Sequence, residues 1–297
     1  MYRLKQIFMI VKVNFMRWNK NPQIVLAFGM GFVISFLLSN KVVTFAQQFD
    51  TTLQMFETFI WTFGDAKSIL LISLCLLLLF SDFPNLDNDV PLLLVRTTRF
   101  CWMVGQVVYV MLATCVYVVF ILISTCILSA KYSYPANLWS NTAAIFGYSK
   151  IGKNVAIPSY VKVMERSFPY KCTLELICLM LGYSLLLSIL ILFFNLCKKN
   201  MGMVAGVVFS GFGLLLNPTL VMEWFDIPKE RLVDANIIFG WISPLNHATY
   251  YMHNFGYDDL PKLWMSYVFF AVAILVIFVL CMLKIRKYSF NFTGTQR

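Results

Sequence analysis

Two histidines, a near-miss phosphate loop and eight cysteines are the residues of this 297-residue chain whose types could do chemistry. His247 and His253 are its only histidines. Imidazole pairs bind metal from one helical face at i, i+4, but these two stand six positions apart, which is not such a spacing. Gly147-Tyr148-Ser149-Lys150-Ile151-Gly152-Lys153 fits the phosphate-cradling pattern GxxxxGK[ST] up to its last position. There Asn154 replaces the hydroxyl that would hold Mg²⁺, and no buried strand leads into the motif. The cysteines form no CxxC pair, and most fall inside apolar stretches, where a thiol packs as a small hydrophobe. Glu175, Asn195 and Asn217 fall near the ends of apolar stretches rather than at their centres. No HExxH motif, nucleophile elbow or intramembrane acidic cluster is present. The residues therefore predict a chain that is not an enzyme and that holds no cofactor or metal of its own.

The elements that must position these residues are membrane helices. The sequence is 60% hydrophobic and 13% charged, against about 25% charged in a soluble domain. Uncharged stretches run 21–40, 68–81, 100–130, 176–197, 200–222, 235–257 and 263–283. A helix of about 20 apolar residues crosses a hydrocarbon core of roughly 30 Å. Lipid offers the backbone no hydrogen bonds, so such stretches cross as helices. The expected fold is all-α: a polytopic membrane protein, one transmembrane domain, with six spans at 22–42, 61–81, 102–129, 174–197, 201–222 and 263–283. The second span is extended back to Trp61, leaving Asp65 and Lys67 near the headgroups, because a central charge costs about 2.5–3.5 kcal/mol on insertion scales. The 235–257 stretch carries Pro244, Asn246, His247, His253 and Asn254 and reads as a re-entrant segment, tolerated where protein covers it.

Residues 1–21 read as an interfacial elbow helix. Leu4, Phe8, Val11, Phe15 and Trp18 share one face, and Lys5, Lys12 and Asn19 another. No secretory leader pattern is legible in this amphipathic segment. Asn21-Pro22 should end it and start span one. The net charge of +10 is explained by Lys and Arg at membrane ends rather than by nucleic acid. With both termini cytoplasmic, 13 of the 24 basic residues lie inside. The outer loop 130–173 is the exception, since it holds Lys131, Lys150, Lys153, Lys162, Arg166 and Lys171. Between spans two and three, residues 82–101 form a cytoplasmic segment. There Asp87, Asn88 or Asp89 could cap a short helix with Pro91 in its first turn, carrying Leu92, Leu93, Arg96 and Arg99. Small residues Gly202 and Gly206, and Ala27 and Gly31, recur at GxxxG-type spacing, which lets helices approach closely within one chain or between two.

This layout resembles ABC-2 type permeases, the membrane subunits of ATP-driven exporters. The local likeness lies in Arg96-Thr97-Thr98-Arg99-Phe100-Cys101-Trp102 with Gly105, Gln106 and Tyr109, in Asn195-Leu196-Cys197-Lys198-Lys199-Asn200-Met201-Gly202, and in Ser243-Pro244-Leu245-Asn246-His247-Ala248. The resemblance implies a cell-membrane exporter of a peptide, lipid-linked or other amphipathic compound. It implies a permease dimer, with a second copy or a homologous permease, on cytoplasmic ATPase subunits that bind the ATP and Mg²⁺. Asp89, Pro91, Leu92, Leu93, Arg96 and Arg99 would couple to the ATPase; Ala27, Gly31, Gly202 and Gly206 would face the second permease. A non-transporting assembly subunit and an ion-coupled carrier are the alternatives.

Overall fold

The computed structural model describes residues 2–84, 97–149, 160–198, 200–256 and 258–288. The chain opens with α1 (Tyr2–Met16) and a single 3-10 turn, Arg17–Lys20. Asn21 then accepts the Gln23 N–H at 3.0 Å, and with Pro22 in the first turn α2 (Pro22–Gln48) begins. The side-chain cap and the proline each deal with amides that a first turn leaves unpaired. α3 (Glu57–Phe63) and α4 (Ala66–Phe80) follow, then α5 (Arg99–Ser129), which Thr98 caps. Past α6 (Asn141–Tyr148) and α7 (Tyr160–Arg166) come α8 (Pro169–Cys197), α9 (Met201–Leu215) and α10 (Pro218–Phe225). α11 (Leu232–Ile242), α12 (Pro244–Ala248) and α13 (Leu263–Arg286) complete the order. Two-residue strands β1 (Leu53–Gln54) and β2 (Ser133–Tyr134) pair in parallel, Leu53 with Ser133 and Gln54 with Tyr134.

The chain is a helical, multi-pass membrane protein. α2, α5, α8 and α13 are each long and apolar enough to cross a bilayer, and two bent helix pairs raise the count to as many as six. α5 and α8 are the central pillars: 61% of the most apolar window of α8 is buried, against 17% in α13. Trp102, Tyr117, Tyr183 and Leu187 lie in this fully enclosed core. Val25, Leu26, Phe36 and Leu37 on α2, and Val272, Leu275 and Leu283 on α13, point outward, where lipid covers apolar surface.

Several expected boundaries move. The stretch 61–81 is not one straight helix, because α3 and α4 meet at 88°. Asp65 adopts an extended conformation at the corner, and Gly64 leaves room there for the Tyr251 ring, which a Cβ would strike. The stretch 201–222 breaks too, α9 and α10 meeting at 83°. Pro218 cannot donate to the preceding turn, and Asn217 instead caps α10 by accepting the Leu220 N–H at 2.9 Å. The loop between α5 and α8 contains α6 and α7, whose surfaces meet where Gly147 lies against Met164 and Val161. Gly147 is thus helical, and Lys150–Asn154 of the near-phosphate loop lie outside the described residues.

α1 lies along the start of α5. Ile10 reaches Gly105 so closely that a Cβ there would stand 2.9 Å from it, Asn14 Nδ2 donates to Gln106 Oε1 at 2.8 Å, and Trp18 Nε1 to Tyr109 Oη at 2.9 Å. The stripe expected to enter lipid is therefore divided. Leu4 and Phe8 are exposed, whereas Val11 is buried, Phe15 meets Tyr109 edge-on and Trp18 packs tilted against Phe28. The start of α1, the α4 terminus, the start of α5, the α8–α9 turn and the C-terminal end of α13 share one end of the bundle, the elbow end. The strands, α3, α6, α7 and α12 share the far end.

Candidate functional site

The far end holds the densest polar chemistry. Ser243 caps α12, accepting the Asn246 N–H, and the helix stops after Ala248. The 3-10 turn Tyr250–Met252 then swings the chain back, so that His253 returns to face His247. Both rings reach Ser266 in the first turn of α13: its Oγ lies 2.8 Å from His247 Nδ1 and 2.8 Å from His253 Nε2. The outer nitrogens meet backbone carbonyls, His247 Nε2 at 3.0 Å from Trp241 O and His253 Nδ1 at 2.9 Å from Thr249 O. All three side chains are buried, and the His247 ring stacks on Phe269 at 4.4 Å.

These four contacts need one proton each, while two neutral imidazoles and a hydroxyl supply three. Either one ring carries an additional proton or one contact lacks a hydrogen bond. The six-residue spacing that ruled out a shared helical face is no obstacle here, because the helix ends between the two residues. Nothing in the sequence pattern singles out Ser266.

Glu175 organises the neighbouring layer. Tyr250 Oη donates to its Oε2 at 2.7 Å, Arg166 Nη2 to its Oε1 at 3.1 Å, and Tyr267 Oη to its main-chain carbonyl at 3.3 Å. Arg166 also lies 5.8 Å from the Phe255 ring centre, within cation–π reach. Beside this network a cleft of about 680 Å³ opens between the first turns of α8 and α13, walled by Lys171, Leu174, Glu175, Phe255, Lys262 and Trp264. Lys162 pairs with Asp258 nearby.

Glu57 is a second buried carboxylate, in the cap formed by α3, β1 and the loop before α6. It accepts the Ser140 N–H at 2.7 Å, the Ser140 hydroxyl at 2.5 Å and the Gln54 N–H at 3.2 Å. The same Ser140 Oγ accepts the Ala143 N–H and so caps α6.

At the elbow end, Asp89, Pro91, Leu92, Leu93 and Arg96 lie outside the described residues. Arg99, grouped with them from sequence, is engaged with the end of α13. Its Nη1 donates to the carbonyls of Tyr288 at 2.9 Å, Arg286 at 3.0 Å and Ile285 at 3.4 Å. A guanidinium there both satisfies and electrostatically complements a helix C-terminus. Asn195 joins three segments: its Nδ2 donates to the carbonyls of Phe83 at 2.6 Å and Ser81 at 3.1 Å, and its Oδ1 accepts the Gly202 N–H at 2.8 Å.

The four small residues assigned from sequence to a second permease lie against the chain's own helices. Ala27 is fully buried, and a Cβ on Gly31 would meet Tyr117 Oη and Ile121 of α5. Gly202 faces the Ile191 carbonyl and Asn195 of α8, and Gly206 faces Leu77 of α4 and Ile191. Close approach is what their lack of bulk permits, here within one chain.

All eight cysteines are free, and among the described residues no group of three or more His, Cys, Asp or Glu is placed to hold a metal ion. Comparison with protein-family models matches none of them, and comparison with curated proteins returns no relative.

Proposed function

We propose that this chain is the permease subunit of an ATP-driven exporter of the ABC-2 type, moving an amphipathic substrate with ATP hydrolysed by a separate cytoplasmic subunit. The observation that carries the reading is the construction of the elbow end. α1 is bound along the start of α5 through Ile10, Asn14 and Trp18, and Arg99 ties the same turn to the end of α13. The connector that joins α4 to α5 thus leaves and re-enters the bundle beside three anchored elements. A push arriving at those two junctions would pass into anchored helices.

Counting each bent pair as one span gives six crossings, with α1 as an interfacial elbow and α12 as a re-entrant helix enclosed by protein. Arg3, Lys5, Lys12, Arg17 and Lys20 together with Lys284, Arg286 and Lys287 support a cytoplasmic elbow end by the positive-inside tendency. Asp89, Pro91, Leu92, Leu93 and Arg96 then belong to the surface that an ATPase would engage. ATP and Mg²⁺ would reside in that partner, and a second permease would complete the assembly.

Affinity purification in mild detergent tests the proposal, with recovery of an ATPase subunit as the expected result. Leu92→Glu or Leu93→Glu should preserve membrane insertion while uncoupling ATP hydrolysis from transport. Recovery of the chain without any ATPase would overturn the reading.

One observation favours a second reading, an ion-coupled carrier: the enclosed His247–Ser266–His253 cluster lies beside Glu175. Buried ionisable groups in membrane proteins commonly mark proton paths. Flux through the purified chain in liposomes, driven by a proton gradient without ATP, would establish that alternative.

A further inference from the structure

The outer loop carries basic residues on the side of the membrane where they are usually scarce, and the structure shows where several of them go. Arg166 at the end of α7 and Lys171 at the start of α8 converge with Lys262, which immediately precedes α13, on the cleft of about 680 Å³ at the far end. That volume is within the range of small-molecule sites, roughly 300–1,000 Å³. The one carboxylate in the wall, Glu175, already accepts from Arg166 and Tyr250, so it does not answer the two lysines. Lys171 and Lys262 are both exposed.

Two further features have the same sign or the same address. α8 and α13 both begin at this cleft; Asn137 Oδ1 accepts the Tyr170 N–H at 3.0 Å in the first turn of α8, while Lys262 gives α13 no side-chain cap. The positive ends of two long helix dipoles therefore add to the cationic field. The wall then changes character toward the lipid side: Leu174 is 64% exposed and Trp264 58%, with Phe255 and Tyr267 behind them. A tryptophan at a span's first turn sits at headgroup depth, with apolar surface continuing below it.

We propose that this cleft binds an anionic phospholipid from the far-side leaflet, its phosphate between Lys171 and Lys262 and its acyl chains along Leu174 and Trp264. A zwitterionic lipid would bring its own cation into a field that is already positive. A free phosphate would leave the apolar wall unused. The inference needs only membrane insertion and stands whichever transport reading holds.

The test uses the full chain in neutral detergent, titrated with dioctanoyl phosphatidylglycerol, dioctanoyl phosphatidylcholine or inorganic phosphate, with binding read by calorimetry. Phosphatidylglycerol should bind about tenfold tighter than phosphatidylcholine, and equimolar phosphate should not displace it. Lys171→Gln/Lys262→Gln should weaken phosphatidylglycerol binding about tenfold, weaken phosphatidylcholine less so that the preference shrinks, and leave the melting temperature in place. Trp264→Ala should weaken both lipids. Equal binding of the two lipids, or an unchanged preference in the double lysine variant, would overturn the proposal. Displacement by phosphate alone would replace the lipid with a simple anion and overturn it as well.

Discussion

His247 and His253 share one hydroxyl: Ser266 Oγ on α13 lies 2.8 Å from a ring nitrogen of each. The contact fastens the α12 turn to the last span at a point enclosed by protein. It also explains how two histidines are accommodated among apolar helices. Their ring nitrogens meet carbonyls and a hydroxyl, and Tyr251 Oη donates to the Ile60 carbonyl at 3.1 Å beside the α3–α4 corner.

Ser266→Ala removes the shared partner of two buried nitrogens. Leaving a buried polar group unsatisfied costs about 1–3 kcal/mol. The expected outcome is a lowered melting temperature in detergent with unchanged helical content by circular dichroism. A variant that melts like the parent would show that the hydroxyl is not holding the turn.

Asn195 satisfies two carbonyls just past α4, of Ser81 and Phe83, and one first-turn amide of α9, that of Gly202, with one side chain. Asn195→Leu keeps comparable volume but leaves all three groups without it. A destabilisation of about 2–3 kcal/mol is expected, with faster amide exchange at Gly202 than in the parent. Asn195→Asp should be as damaging, because a carboxylate would face two carbonyl oxygens.

Gly206→Leu inserts a side chain where Leu77 and Ile191 already stand. Overpacking of this kind costs about 1–3 kcal/mol. The loss should appear as a lower melting temperature of the chain itself at every protein concentration. A change confined to self-association, with the melting temperature intact, would instead place Gly206 between two copies.

The membrane class, the long spans and their approximate positions were legible in the sequence. α2, α5, α8 and α13 each cover an uncharged stretch, and α2 starts at the Asn21-Pro22 pair that its composition indicates. The reason is local: in lipid a backbone must bond to itself, so an apolar stretch of sufficient length becomes a helix whatever surrounds it. Tertiary structure decided what fills the space between spans. The corner at Gly64–Asp65 has the distant Tyr251 ring packed into it, whereas the one at Leu216–Asn217 follows from the local Asn217-Pro218 pair. Glu175 meets Tyr250 across 75 positions, Arg99 reaches Tyr288 across 189, and the two histidines converge only because α12 ends between them. Such contacts depend on shape and on distant partners, and no periodicity in the chain encodes them.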